Sequence, residues 1–284
     1  MDSDGTFGIY CSYVDVRKID MARISVLMGI FNCASTLTEA LDSLYAQTYK
    51  DFKIILCDDG SQDNTYEIAK EYADKYNNIM LISNGENKGL NYTLNHCLEY
   101  ADTEYCARMD GDDISFPTRF EKEINFLDSH PEYAIVSCPM IYFDEDGDFR
   151  VGTEHGEPGL ISYIKETPFC HAPCMVRTEA YKKVGGYSVS PKLLRVEDYH
   201  MWIKMYQAGY RGYNIPECLY KMRDNRNAVK RRTWQARKNE IYVKYVALKS
   251  LRIPWRYGIY ILKPLVAYLM PLWLYNKVHK NFSH

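Results

Sequence analysis

Short apolar runs alternate with amphipathic stretches through the first half of the chain. Residues 23–28 are nearly continuous in apolar character, as a parallel strand buried on both faces requires. A helix follows over about 35–47, with Leu37, Leu41 and Leu44 on one face. A second strand over 52–57 ends in Asp58-Asp59-Gly60-Ser61-Gln62-Asp63, where Ser61 or Asp63 can cap a helix running to Tyr76. A third strand at 79–82, the polar loop from Asn84 to Gly89 and a helix over about 90–100 come next. The fourth strand runs into Asp110-Gly111-Asp112-Asp113. This β-α alternation with short turns predicts an α/β fold, a mostly parallel Rossmann-like sheet with helices on both faces. Ligands of such sheets bind beyond the carboxyl ends of the strands. Asn32, Asp58, Asp59, Lys88 and residues 110–113 should therefore line one crevice.

The second half is less regular. It reads as a helix from Pro117 to Ser129, a strand at 133–138 and an edge strand or hairpin at 141–150 around Asp146-Gly147. A helical stretch at 160–167, a strand at 169–177 and a short helix at 179–184 closed by Gly185-Gly186 follow. Irregular residues 192–196 lead to Glu197 and Asp198, at the start of a helix carrying Tyr199, Trp202, Met205 and Tyr206. A last strand is expected over 214–222, and from Arg226 onward the chain reads as helical and basic.

Composition narrows the class. With 46% hydrophobic and 25% charged residues over 284 positions, the chain has the makings of a folded core. Nine cysteines without a CxxC pair, and an N-terminus with no apolar leader, argue for reduced thiols in the cytoplasm. Met21 directly precedes the first strand and is an alternative start. The 26 tyrosines supply amphipathic rings suited to sugars or to a membrane interface.

Charge is unevenly spread. From Tyr220 to the end there are 15 Lys and Arg against 2 acids, a net of +13, while the remainder carries −15. A basic tail on an acidic body points to an anionic partner, and a lipid surface suits it better than nucleic acid. Residues 255–275 are apolar and aromatic, but Lys263, Pro264 and Pro271 interrupt them. That suits an interfacial segment better than a spanning helix, and the basic stretch at 230–249 suits anionic lipid. The alternative is that these residues cover the catalytic body or a partner subunit.

The candidate chemistry begins with the three crowded carboxylates. Asp110, Asp112 and Asp113 raise one another's pKa unless a cation lies between them, and Mg²⁺ is commonly held by one or two carboxylates plus substrate phosphates. A solvated acidic turn is the plain alternative. Asp59 can serve the helix start or accept from a nucleobase N–H, and Lys88 can stay solvated or meet a phosphate. His171 reads first as a hydrogen-bonded core histidine. Glu197 and Asp198 suit a helix N-terminus, and either can be a general base. Absence of G-x-G-x-x-G and of a Walker lysine disfavours dinucleotide oxidoreductases and P-loop enzymes.

Taken together, Val-Leu-Met-Gly-Ile-Phe-Asn, Asp-Asp-Gly-Ser-Gln-Asp, Asn-Lys-Gly-Leu, Asp-Gly-Asp-Asp and Glu-Asp-Tyr-His-Met-Trp, in this order over residues 24–222, resemble the family 2 glycosyltransferases of the GT-A fold. The resemblance implies a nucleotide-sugar donor, of the UDP-sugar class, and a divalent cation, Mg²⁺ or Mn²⁺, at Asp110, Asp112 and Asp113. It implies donor contacts at Phe31, Asn32, Glu39, Asp59, Lys88 and Asp110, and a catalytic base at Asp198, with Glu197 as second candidate. His171 and Trp202 fall on the acceptor side. Two positions depart from the family, which usually has proline at Gly29 and tyrosine at Phe31.

The implied organisation is an extension over 1–20, a catalytic domain over 21–222 and a basic amphipathic tail over 223–284. The catalytic domain divides into a nucleotide-sugar half, 21–115, and an acceptor half, 116–222. The implied activity is inverting transfer to a hydroxyl of a glycan or lipid-linked acceptor in bacterial surface-polysaccharide synthesis, at the inner face of the cell membrane. An inactive binding relative and a nucleotidyltransferase are the alternatives.

Overall fold

The computed structural model describes residues 22–224 and 233–270. Residues 23–110 fold as their pattern predicts. β1 (Ile24–Ile30), β2 (Phe52–Asp58), β3 (Ile79–Ser83) and β4 (Tyr105–Asp110) lie parallel, connected through α1 (Leu37–Tyr45), α2 (Thr65–Lys75) and α3 (Leu90–Glu99). Strand ends are in register: Gly29 pairs with Asp110 and Ile30 with Asp58. That alignment delivers Asn32, Asp58, Asp59 and Asp110 to one edge of the sheet.

Beyond β4 come β5 (Ile114–Ser115), α4 (Arg119–Ser129), β6 (Tyr133–Ser137), β7 (Met140–Asp144) and β8 (Gly147–Val151). Then α5 (Ser162–Lys165), β9 (Met175–Arg177), α6 (Thr178–Val184), α7 (Glu197–Gln207), β10 (Arg211–Asn214) and β11 (Tyr220–Arg223) follow. The main sheet has the order β10-β6-β9-β4-β1-β2-β3, and β9 runs antiparallel to both its neighbours. A smaller sheet, β5-β11-β7-β8, carries the expected hairpin, closed at Gly147 with φ 114°.

Two expected strands came out differently. The run over 169–177 contributes only three residues, because Pro173 interrupts it and lacks the N–H a ladder needs. The run over 214–222 is divided: Pro216 ends β10 in the main sheet, and the chain re-enters the smaller sheet as β11.

Side chains of β1 alternate between two cores. Val26 and Met28 pack with Leu41, Leu44, Phe120 and Ile124 on the α1 and α4 face. Leu27 faces the other way, toward Leu94, Tyr181, Trp202 and Met205. That second core extends into the basic tail. α8 (Trp234–Ser250) buries Val243, Ala247 and Leu248 in it, with Leu251 and Ile253 just beyond. A 3₁₀ stretch (Trp255–Leu262) and α9 (Lys263–Leu269) follow, so the tail is broken rather than one helix. Its first helix covers the catalytic body, the alternative weighed against membrane contact. Among the described residues no helix is long and apolar enough to cross a membrane, and no cysteine is bridged.

Candidate functional site

The edge formed by β1, β2 and β4 is held open by its own acids. Asp58 accepts hydrogen bonds from the Gly60 and Ser61 amides at 3.1 and 3.3 Å. Gly60 has φ 74°, and a Cβ there would come within 2.7 Å of the Glu86 backbone. Asp59 accepts from the Lys88 and Gly89 amides, both at 2.9 Å, and from Asn84 Nδ2 at 2.7 Å. Buried Asp59 thus ties the loop after β3 to the end of β2, while buried Asp58 closes its own turn. Asp63 serves the start of α2, accepting from the Thr65 amide at 3.0 Å.

A cavity of about 360 Å³ opens at the ends of β1 and β4. Phe31, Asn32, Thr36, Asp110, Asp112 and Arg223 are among its walls. Asn32 adopts a left-handed φ of 48°, accepts from the Gln62 amide at 2.7 Å and donates its own backbone N–H to Ser61 Oγ at 3.1 Å, so its turn is fixed from both sides. Phe31 is 44% exposed and presents a ring to whatever enters. Gly111 is needed for space rather than for a left-handed turn: a Cβ there would meet Cys33 Sγ at 2.7 Å.

The three acids of the loop after β4 do not converge. Asp110 accepts from Arg108 at 2.5 Å, and Arg108 is itself buried beneath the cavity. Asp112 is exposed at the wall, and desolvation together with the charge of Asp110 pushes its pKa up. Asp113 is turned inward and accepts from the Arg223 amide at 2.8 Å. Burial, then Asp110 and Asp112, raise its pKa well above the ordinary range. Among the described residues no cluster of three His, Cys, Asp or Glu stands ready to hold a metal. Asp110 and Asp112 nevertheless fit a hard cation that completes its shell with phosphate oxygens, since two carboxylates face one cavity and, among the described residues, Asp112 makes no direct ion pair. Asp113 instead shapes the turn.

Glu39 lies off the cavity wall and holds Arg223 at 2.5 Å, while Arg223 Nε donates to the Asp112 carbonyl at 3.0 Å. Lys88 projects outward with its ammonium 5.0 Å from the centre of the Tyr92 ring, away from the residues around Asp110. Arg108 and Arg223 were missed by pattern reading. Arg108 had a signal: a charge inside an apolar strand, two residues before Asp110 and so on the same face. Arg223 had none, because it meets the acids from the far end of the domain.

Glu197 and Asp198 occupy the first turn of α7. Burial, reinforced by Glu197, pushes the Asp198 carboxyl up to about 7, although the amides of Tyr199 and Asp198 oppose this. Glu197 is raised for the same leading reason, burial. Asp198 faces a second cavity of about 530 Å³, whose walls continue through Lys165, Tyr199 and Arg237. Glu197 is not on that wall. His171 packs behind α7 and Trp202 sits on the buried face of α7, and neither lines the cavity. His171 Nε2 is 2.8 Å from the Tyr187 hydroxyl, and burial followed by the charge of Arg108 holds it well below its usual pKa. Trp202 is fully buried, 6.0 Å from the His171 ring. Both are core groups that fix the helix bearing Asp198.

Known proteins align with this geometry. The sequence profile of Glycosyl transferase family 2 matches residues 25–185, and that of Glycosyl transferase family group 2 matches residues 107–279. The chain is 43% identical over 262 residues to the putative glycosyltransferase EpsE of Bacillus subtilis, covering 91% of this chain and 94% of that protein. It is 28% identical over 204 residues to the Escherichia coli UDP-Glc:alpha-D-GlcNAc-diphosphoundecaprenol beta-1,3-glucosyltransferase WfaP, covering 71% and 78% respectively. Residues 1–349 of S. aureus TarS, crystallised with UDP-GlcNAc, superpose with a TM-score of 0.68 at 19% identity, over 87% of this chain and 71% of that one. That likeness concerns the fold, which is the GT-A arrangement of a mostly parallel sheet between helices.

Proposed function

The chain belongs to glycosyl transferase family 2 and is a glycosyltransferase; from that premise we propose that it is an inverting enzyme transferring a sugar from a UDP-sugar to a lipid-linked glycan in bacterial surface-polysaccharide synthesis. The observation that carries the reading is Asp198, a carboxyl at a helix start, facing a cavity, with its pKa held near 7. A base poised near the working pH combines a useful ionised fraction with a strong pull on the proton.

In this reading the donor lies over the ends of β1 and β4, with Phe31 and Asn32 against it. Asp110 and Asp112 would hold a divalent cation that supplies charge compensation at the diphosphate. Asp198 takes the proton of an acceptor hydroxyl. The hydroxyl oxygen forms a bond to the anomeric carbon as the bond to the diphosphate oxygen breaks, and that electron pair leaves with UDP. Calorimetry with UDP should show tight binding in Mg²⁺ or Mn²⁺ and a loss of at least tenfold in EDTA. Equal affinity in both would remove the cation from Asp110 and Asp112, and absence of UDP binding would overturn the donor class.

Peripheral contact with the cell membrane belongs to the same reading. Trp255, Ile259, Leu262, Val266 and Leu269 are 51–72% exposed, and aromatic and aliphatic groups beside lysines suit the headgroup region. Because α8 is part of the core, the test keeps the whole chain. Sedimentation with anionic vesicles should be lost in a Trp255→Ser/Ile259→Ser/Leu269→Ser variant, and unchanged sedimentation would exclude this face.

A further inference from the structure

We propose that the cavity beside Asp198 is an anion subsite, walled in part by the tail, that holds a diphosphate carried by the acceptor; the assignment rests on the transferase reading above. Its volume of about 530 Å³ far exceeds what one carboxylate and one hydroxyl need, and cavities of about 300–1,000 Å³ commonly enclose a small-molecule ligand. Five cationic side chains line it: Lys165, Arg195, Arg237, Lys244 and Lys263. The acids on the same walls are Asp198, Glu166 and Glu240.

These groups do not simply cancel. Lys244 is structural, donating to the Ile164 and Lys165 carbonyls at 3.0 and 2.7 Å. Glu240 is taken by Arg237 Nη1 at 2.8 Å and lies 4.0 Å from Lys244. Arg237 still has a buried Nε–H with no acceptor among the described residues. An unmet buried donor is destabilising, and an anionic oxygen entering the cavity would satisfy it. Arg195 stands at the wall in a left-handed conformation, φ 69°, uncommon for a residue with a side chain. Lys165 and Lys263 are exposed at the same opening, one from the end of α5 and one from the start of α9.

A neutral glycan needs no such set of cations. The donor's own diphosphate is not the occupant either, because the cavity at Asp110 and Asp112 shares none of these residues. A diphosphate joined to the acceptor sugar fits both demands: it occupies the cations while a sugar hydroxyl reaches Asp198.

The full chain, saturated with UDP to fill the donor cavity, is titrated with inorganic pyrophosphate and with a short prenyl diphosphate. Both should bind, more weakly as salt rises, and at least tenfold more weakly in Lys165→Gln/Lys263→Gln and in Arg237→Gln. UDP affinity should be unchanged in these variants, which separates loss of the subsite from loss of the fold. Binding of prenyl diphosphate but not pyrophosphate would overturn the anion assignment in favour of an apolar contact. Displacement of pyrophosphate by UDP would place it in the donor cavity, and variants that bind like the wild type would equally overturn the proposal. If UDP itself fails to bind, the donor class falls, while the pyrophosphate titrations still report on the subsite.

Discussion

Asp59 and Asp198 are both carboxylates at the edge of a cleft, yet one is saturated and the other is not. Asp59 receives two backbone amides and a side-chain amide, all from the loop after β3. Among the described residues, Asp198 has the amides of its own helix start and the weaker pull of Arg108, against burial and the charge of Glu197. Hydrogen bonds to the charged form hold a carboxylate ionised, whereas burial without them favours the proton. The first arrangement spends charge on positioning a loop. The second holds a carboxyl near neutrality, where, on the reading proposed above, it would take a substrate proton. Burial alone therefore does not mark the chemistry; the partners that each acid has, or lacks, distinguish scaffold from reagent.

The contrast breaks most readily at Asp198. Asp198→Asn should lower turnover by about a hundredfold or more, the scale of general-base loss, with UDP affinity unchanged. A crippled Glu197→Gln beside an active Asp198→Asn would reverse the two roles. Asp59→Ala should act through the fold instead. Its partly buried donors lose charge-assisted partners, so stability should fall by about 1–3 kcal/mol in chemical denaturation, with donor affinity reduced by the released loop. If Asp59→Ala binds UDP as the wild type does, the tie between this loop and the donor cavity is broken.

The smallest effect is the pH dependence. The folded-state pKa of Asp198, about 7, lies above its ordinary value of 3.8. Between those values the folded chain binds the extra proton, so this residue makes stability fall as pH rises from about 4 to about 7. Asp198→Asn should flatten that segment of the thermal-unfolding profile. The wild-type kcat/KM should meanwhile rise with pH to a plateau above about 7. A rate independent of pH over that window would separate Asp198 from the proton transfer.

Legibility followed the range of the interactions. β1 to β4 and their helices were readable because apolar runs and short turns are local, and the strand ends then aligned the polar clusters without further information. β9 and the division between β10 and β11 were obscured by prolines inside apolar runs. The roles of Asp59 and Asp113 were hidden for a different reason: their partners lie 25–30 and 110 residues away. In α8 the high charge drew attention to lipid, although Val243, Ala247, Leu248 and Leu251 already traced a helical stripe that the core absorbs.

Lys244 carries a consequence for how the molecule comes into being. Its ammonium closes the carbonyls of Ile164 and Lys165, about eighty positions earlier in the chain. During synthesis the sheet and the donor edge emerge first, and domains tend to form from the N-terminus onward. The wall opposite Asp198 has no counterpart among those earlier segments, since Ala236, Arg237, Glu240, Lys244 and Lys263 are all still to be made. On the proposed reading, a ribosome-bound chain would complete the donor edge before the tail closes the cavity beside Asp198, and competence for transfer would arrive last, with the tail.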